Sequence, residues 1–414
     1  MIRLDDYRLI GYKNILEASL AFNDINVIIG PNNSGKSNFI QSISFVNYVL
    51  NSASTDDLLK FFSEGLSGTY FGEIIPVSEI WLKEANEFII SFHFRFSNSE
   101  TNRVFNYQLD IEGLEEFGEV QYKIVKESLD AKEINKPGKP ESIFKRSRNR
   151  VSFGAKLSKT SLFEEVPDFF SVIRILKLVF SNDLDGPYLD AINSLNMILK
   201  TPIFYFSNLE LMKSDTVDRL NLHNGRVVSF ELEEEIIKLK KTPNWNIFIE
   251  ALNNILNIDR ANIEEIAFGE DARGKGSKRR FLTFKHFGTS KYLRNFSDGT
   301  VLIIALITKI LSNESDLIFI EEPENSTHPK ALIDLFNFIK SFSENKQFII
   351  TTHSIPILNK TKPDNIIVSS VDENGKSTLY NVSTKKELRK RLNQGQINFS
   401  DELFFGNMEQ EEFE

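Results

Sequence analysis

Residues 30–37 read GPNNSGKS, a Gly-x-x-x-x-Gly-Lys-Ser spacing that can cradle the phosphates of a nucleotide. Gly30 and Gly35 let the backbone wrap an anion at close range, and the free amides of a following helix point at it. Lys36 is expected to reach the β- and γ-phosphates, and the Ser37 hydroxyl to ligate Mg²⁺. Pro31, Asn32, Asn33, Ser34 and Asn38 complete the expected nucleotide-binding positions. The flanks agree with this reading. INVIIG, an apolar run closed by Gly, precedes the loop, and NFIQSISFVNYVL follows with Phe39, Ile40, Ile43, Val46, Val49 and Leu50 on one helical face.

Two acids and a histidine end further apolar runs. DLIFIEEPE places Glu321 and Glu322 after a buried strand, and so at the carboxyl edge where ligands of open α/β sheets bind. Glu321 is expected to hold Mg²⁺ through water, and Glu322 to orient and deprotonate an attacking water. FIITTHS ends in His353, placed to touch a γ-phosphate. The other histidines, His93, His223, His286 and His328, lack metal-ligand spacing and are expected to be structural. A fourth stretch, LRNFSDGT, stands before the apolar run VLIIALITKIL, where Ser297 is a natural helix cap.

Around these motifs the chain changes character. Residues 1–30 alternate like strands, and FIISFHFRF, RVFNYQLDI, VQYKIVKESL and SIFKRSRNRVSF predict an antiparallel sheet. From about 156 to 265 the pattern turns helical, in FFSVIRILKLVF, YLDAINSLNMIL, FELEEEIIKLK and WNIFIEALNNIL. The organisation expected is an α/β head split as 1–155 and 271–414, carrying a helical insertion at 156–270. The last stretch is mixed and closes in acidic MEQEEFE, expected to be a frayed end.

Bulk composition narrows the function. The 414 residues are 41% hydrophobic and 26% charged, a globular balance, and contain no cysteine, which excludes disulfides, thiolate nucleophiles and cysteine metal sites. A net charge of -9 argues against a chain that coats nucleic acid over its whole surface. Two local basic clusters, KRSRNR at 145–150 and RGKGSKRR at 273–280, could grip a phosphate backbone, though hairpin loops account for both. MIRLDDYRLI lacks the basic head and apolar stretch of a secretory signal, and no apolar run spans a bilayer, so a cytoplasmic protein without membrane contact is expected.

Phosphate loop, FSDGT, EEPE and TTHS in this order resemble the ATP-binding-cassette superfamily of ATPases. The resemblance implies an ABC-ATPase-like P-loop head, ATP and Mg²⁺ as ligands, and ATP hydrolysis. It implies that Ser297, Asp298 and Gly299 complete the site of an opposite subunit, so that ATP holds a homodimer or higher oligomer together. Tyr12, Lys13 and Asn14 fall where related ATPases contact base and ribose. The span from Lys36 to Ser297 is far longer than in transporter cassettes, and the insertion is similar to the SMC-like, RecF-like and OLD-family branch. There is too little chain for a long coiled-coil arm, and too little after His353 for a TOPRIM nuclease domain. The chain is therefore similar to ATPase subunits of bacterial anti-phage systems such as Septu and PARIS, in which a separately encoded effector supplies the toxic or nuclease activity. A DNA clamp of RecF type and an ATP-dependent scaffold with little turnover are the alternatives. EEPE departs from the commoner DEPE by placing Glu321, with its longer arm, at the metal position. No clear Q-loop is evident, with Gln108 and Gln121 the only candidates.

Overall fold

The computed structural model describes residues 1–51, 88–116, 119–154, 163–179, 187–201, 203–204, 232–270 and 276–384. His223, the acidic tail and the side chains of the 273–280 cluster lie outside the described residues. Alternation in the first residues gives β1 (Ile2–Tyr12) and β2 (Ile15–Ala21), a hairpin whose buried positions include Leu4, Tyr7, Leu9 and Tyr12. β3 (Ile25–Ile29) is buried at every residue and runs through the phosphate loop into α1 (Lys36–Asn51).

The antiparallel lobe is β4 (Phe88–Asn98), β5 (Arg103–Glu116), β6 (Glu119–Glu133), β7 (Glu141–Ser147) and β8 (Arg150–Phe153). Each strand pairs with the next, as the alternation predicts. Phe92, Phe94 and Phe96 on β4 and Phe105, Tyr107 and Leu109 on β5 all turn to the covered face. Fully burying such a side chain contributes roughly 1.5–3 kcal/mol, so this Phe-rich face dominates the core. It joins the apolar side of α1, with Tyr7 stacked on Phe94 at 4.4 Å and close to Phe39 at 5.2 Å. α2 (Val172–Val179) and α3 (Pro187–Leu199) pack on the same core, and the two-residue β9 (Ile203–Phe204) follows.

The remaining elements are α4 (Leu232–Leu239), α5 (Trp245–Leu256), β10 (Ile258–Glu270), β11 (Gly276–His286), β12 (Thr289–Tyr292), α6 (Asp298–Ser312), β13 (Leu317–Glu321) and α7 (Pro329–Ser341). After these come β14 (Gln347–Thr351), α8 (Ile355–Leu358), β15 (Ile366–Val371) and β16 (Ser377–Asn381). A 13-stranded sheet runs β8-β7-β6-β5-β4-β1-β2-β16-β15-β3-β14-β13-β9. The pairs β15–β3, β3–β14 and β14–β13 are parallel, while β8 through β2 form an antiparallel stretch. The fold is thus α/β with a large mixed sheet.

Two compact units emerge, one of Met1–Ile203, Ser315–Glu321 and Ser343–Glu414, the other of Phe204–Glu314 and Glu322–Phe342. The helices of the expected insertion are divided between them, α2 and α3 in the first, α4 and α5 in the second. The second unit holds the three-stranded sheet β10-β11-β12 with α4 to α7. Here the helical reading of 156–265 needs correction. α5 stops at Leu256 because Asn257 adopts a left-handed φ of 55°, and β10 follows, paired along its length with β11.

The KRSRNR cluster also differs from a solvated loop. It does form the β7–β8 hairpin, but Arg146 is only 2% exposed, and its guanidinium donates to the carbonyls of Arg148 (2.6 Å), Pro167 (2.9 Å), Asp168 (3.1 Å) and Phe170. Glu127 on β6, fully buried, accepts from Tyr107 Oη (3.1 Å), Ser171 Oγ (2.7 Å) and the Val172 amide (2.8 Å), and so caps α2. Burial pushes the Glu127 carboxyl up, against the opposing pull of these donors and of Arg146. Removing the guanidinium takes the donor away from four backbone carbonyls and a favourable charge away from Glu127. Arg146→Met is expected to cost about 1–3 kcal/mol of stability in urea unfolding; an unchanged midpoint would mean the guanidinium is replaceable packing.

Candidate nucleotide site

The phosphate loop owes its shape to close approach. Gly30 follows β3 where β15 passes, and a Cβ at this position would lie 2.2 Å from the Ser369 carbonyl oxygen. Gly35 has φ +90°, and its added Cβ would meet the Ser377 side chain at 3.0 Å and Asn14 Oδ1 at 3.3 Å. Asn33 takes a left-handed φ of 62° between them. The turn closes with Ser34 N donating to Pro31 O (3.3 Å), and α1 begins with Phe39 N donating to Gly35 O (2.8 Å). Pro31, Asn32, Asn33 and Ser37 are exposed, Asn38 is half-buried, and Ser34 and Lys36 are buried. Lys36 Nζ donates to the carbonyls of Gly30 (3.0 Å) and Pro31 (2.7 Å), curling over the concavity it would fill with charge.

Strand register brings the other candidates to the same edge. Glu321 ends β13 at 5% exposure and pairs with Thr351 at the end of β14, which in turn pairs with Ile28 on β3. The Thr352 amide donates to Ile28 O (3.1 Å), extending the pairing past the strand end, so that the half-buried His353 follows beside the start of the loop. Among the described residues no group of three His, Asp or Glu side chains could hold a metal by itself. The donors present, Ser37 and Glu321, suit Mg²⁺, which takes few protein ligands and relies on phosphate oxygens and water. A cradle that a Cβ would fill, a lysine over it and the buried hydroxyls Ser34 Oγ and Thr351 Oγ1, unbonded among the described residues, together fit a magnesium nucleotide.

Neighbouring strands hold the loop by contacts that motif reading misses. Ser369 Oγ on β15 donates to Ser34 O. Asn14, in the β1–β2 turn, donates to Ser377 Oγ (2.7 Å) and Asn33 O (3.2 Å) and accepts from Asn38 Nδ2 (2.7 Å). Lys13, at a left-handed φ of 52°, lays its amine on Asn38 (3.3 Å) and Gln41 (2.8 Å), next to the first turn of α1. Tyr12 instead lies in the core between Phe45 (5.5 Å) and Phe92 (6.1 Å), which takes it out of reach of a base. Gln108 is on β5, six strand spacings from β3 or roughly 29 Å along the sheet. There it donates to Asp110 (2.9 Å) and supplies no Q-loop. The side chain of Gln121 lies outside the described residues.

The remaining candidates belong to the second unit. Ser297 caps α6, its Oγ accepting from the Thr300 amide at 3.4 Å, and both Ser297 and Asp298 are exposed. Gly299 is buried against the loop before α7, where a Cβ would lie 2.1 Å from Ser326 O. Glu322, the first residue after β13, has a left-handed φ of 44°, a strain of about 1–2 kcal/mol for a non-glycine residue. The loop opposes it locally. Asn325 donates its backbone amide to Glu322 O (3.1 Å) and its side-chain amide to Glu322 Oε2 (3.2 Å). His328 caps α7 through Nδ1, as its structural reading expects.

Residues 25–359 match the family model described as "AAA domain, putative AbiEii toxin, Type IV TA system". The chain belongs to this AAA domain family. No curated protein matches it. Among solved structures, the AAA chain is similar to an Smc head bound to the C-terminal winged-helix domain of ScpA, at 15% identity and TM-score 0.49 over 91% of this chain and 96% of that one. It is similar also to an Smc head with an extended coiled coil, bound to the C-terminal domain of ScpA from Pyrococcus furiosus, at 14% identity and TM-score 0.45 over 96% and 100% of the two chains. An SMC head from Thermotoga maritima gives 14% identity and TM-score 0.40 over 92% and 98%.

The family match takes in the phosphate loop, FSDGT, EEPE and TTHS, and stops short of β15 and β16. Within the AAA domain, Gly299 has a packing duty independent of any second subunit. Gly299→Ala is expected to lower stability without ligand by about 1–3 kcal/mol through overpacking. An unchanged melting curve would leave only a role toward a partner's phosphate.

Proposed function

We propose that this AAA domain protein binds and hydrolyses ATP with Mg²⁺, and that ATP-dependent dimerisation regulates a separate effector, such as a nuclease, in anti-phage defence. The observation that carries the reading is the register that sets the phosphate loop, Glu321 and His353 on one sheet edge. Lys36 would hold the β- and γ-phosphates, and Ser37 and Glu321 would hold Mg²⁺, whose charge would offset that of the phosphates. Glu322 takes a proton from the attacking water, and His353 senses the γ-phosphate.

The helix N-terminus of α6, where Ser297 and Asp298 are exposed and Gly299 is buried behind them, supports a site that receives the γ-phosphate of a second copy's ATP. A cytoplasmic, soluble protein suits this role, and no described helix is long and apolar enough to cross a membrane. A DNA clamp is the alternative reading; Arg146 is withdrawn from the 145–150 cluster into the core, while Lys145, Arg148 and Arg150 stay exposed.

Glu322→Gln is expected to bind ATP, to lose hydrolysis by about 100-fold or more, and to accumulate as a dimer in size-exclusion chromatography with light scattering. A monomer in saturating ATP would contradict the dimer. Ser297→Arg is expected to abolish turnover while retaining ATP binding; wild-type turnover would remove the role toward a second subunit.

A further inference from the structure

Thr351 closes β14 at 1% exposure, and its Oγ1 makes no hydrogen bond among the described residues. It pairs with Glu321 on one side and Ile28 on the other. Residues in register on parallel strands turn their side chains to the same face, with strands about 4.8 Å apart. The hydroxyl therefore stands beside the Glu321 carboxylate, at the edge shared with Lys36 and Ser37. A buried hydroxyl with no partner destabilises the chain that carries it, and valine has the same shape without that cost. A threonine here is accounted for if a ligand satisfies the hydroxyl.

We propose that Thr351 is an outer-sphere positioning residue for the divalent cation of the bound nucleotide, its hydroxyl hydrogen-bonding the cation's hydration shell next to Glu321. The inference rests on the magnesium-nucleotide reading of the site. Mg²⁺ keeps several of its waters when bound, and the groups that orient such waters tune metal affinity. The position between Glu321 and the strand of the phosphate loop gives Thr351 access to that shell.

The test is thermal melting of full-length wild type, Thr351→Val and Thr351→Ser with the non-hydrolysable analogue AMP-PNP, titrated with Mg²⁺ or held in EDTA. Without ligand, Thr351→Val is expected to melt at or above the wild-type temperature. In EDTA it should respond to AMP-PNP as wild type does, while the Mg²⁺ concentration for the half-maximal further shift rises about tenfold. Thr351→Ser should keep the wild-type midpoint. An unchanged Mg²⁺ midpoint in Thr351→Val overturns the proposal, as does a lower melting temperature without ligand, which would show a structural partner for the hydroxyl. Equal weakening of AMP-PNP binding in EDTA also overturns it, by placing the hydroxyl on phosphate. If AMP-PNP with Mg²⁺ fails to stabilise even the wild type, the nucleotide reading itself falls, a result distinct from failure of Thr351 alone.

Discussion

The in-register parallel pairing of β3, β14 and β13 is the constraint on which the candidate site depends. Parallel strands end together on one side, so three segments far apart in sequence deliver the phosphate loop, Thr351 with His353, and Glu321 to one edge. A slip of one residue between β13 and β14 would move Glu321 to the opposite face of the sheet. Burial of every residue in all three strands fixes that register, because any slip would expose or misplace a core side chain. The far end is pinned as well, by the Gln347 side chain, which satisfies both backbone groups of Leu4 at 2.9 Å.

The rest of the first unit fixes what the three strands leave free. α1 must keep its N-terminus aimed at the phosphate loop, and it does so by sinking Phe39, Phe45 and their neighbours into the aromatic face of the antiparallel lobe. The loop itself is held from the other side by Asn14, Ser369 and Ser377. The antiparallel lobe is thus a support for the nucleotide helix as well as an appendage. The second unit carries its own linkage, in which the absent Cβ of Gly299 admits the Ser326 carbonyl and so ties the start of α6 to the loop that bends Glu322 into a left-handed conformation.

The parts of this arrangement legible in sequence are those with a strong local cause. Continuous apolar runs marked β3, β13 and β14, alternation marked β4 to β8, and glycine spacing marked the phosphate loop. What escaped depends on partners distant in sequence. β10 carries a weak alternation that its pairing with β11 decides, and β15 and β16 become strands because β3 and β2 offer them edges. Ser369, Ser377 and Thr351 are ordinary polar residues until tertiary structure sets them against the loop or strands them in the core. Arg146 shows the converse, a basic residue in a run that reads as solvated, drawn inward by four backbone carbonyls.

The central claim is that the carboxyl edge of β3, β14 and β13 is an ATP site, and calorimetric titration of Mg·ATP into wild type and Lys36→Ala tests it most directly. Lys36 Nζ donates to the Gly30 and Pro31 carbonyls of the loop it closes. The account predicts saturable binding by wild type and a loss of about 100-fold or more in Lys36→Ala, equal to roughly 2.7 kcal/mol, with a melting temperature close to wild type in the absence of nucleotide. Equal affinity in the two proteins, or no binding by the wild type, would contradict it.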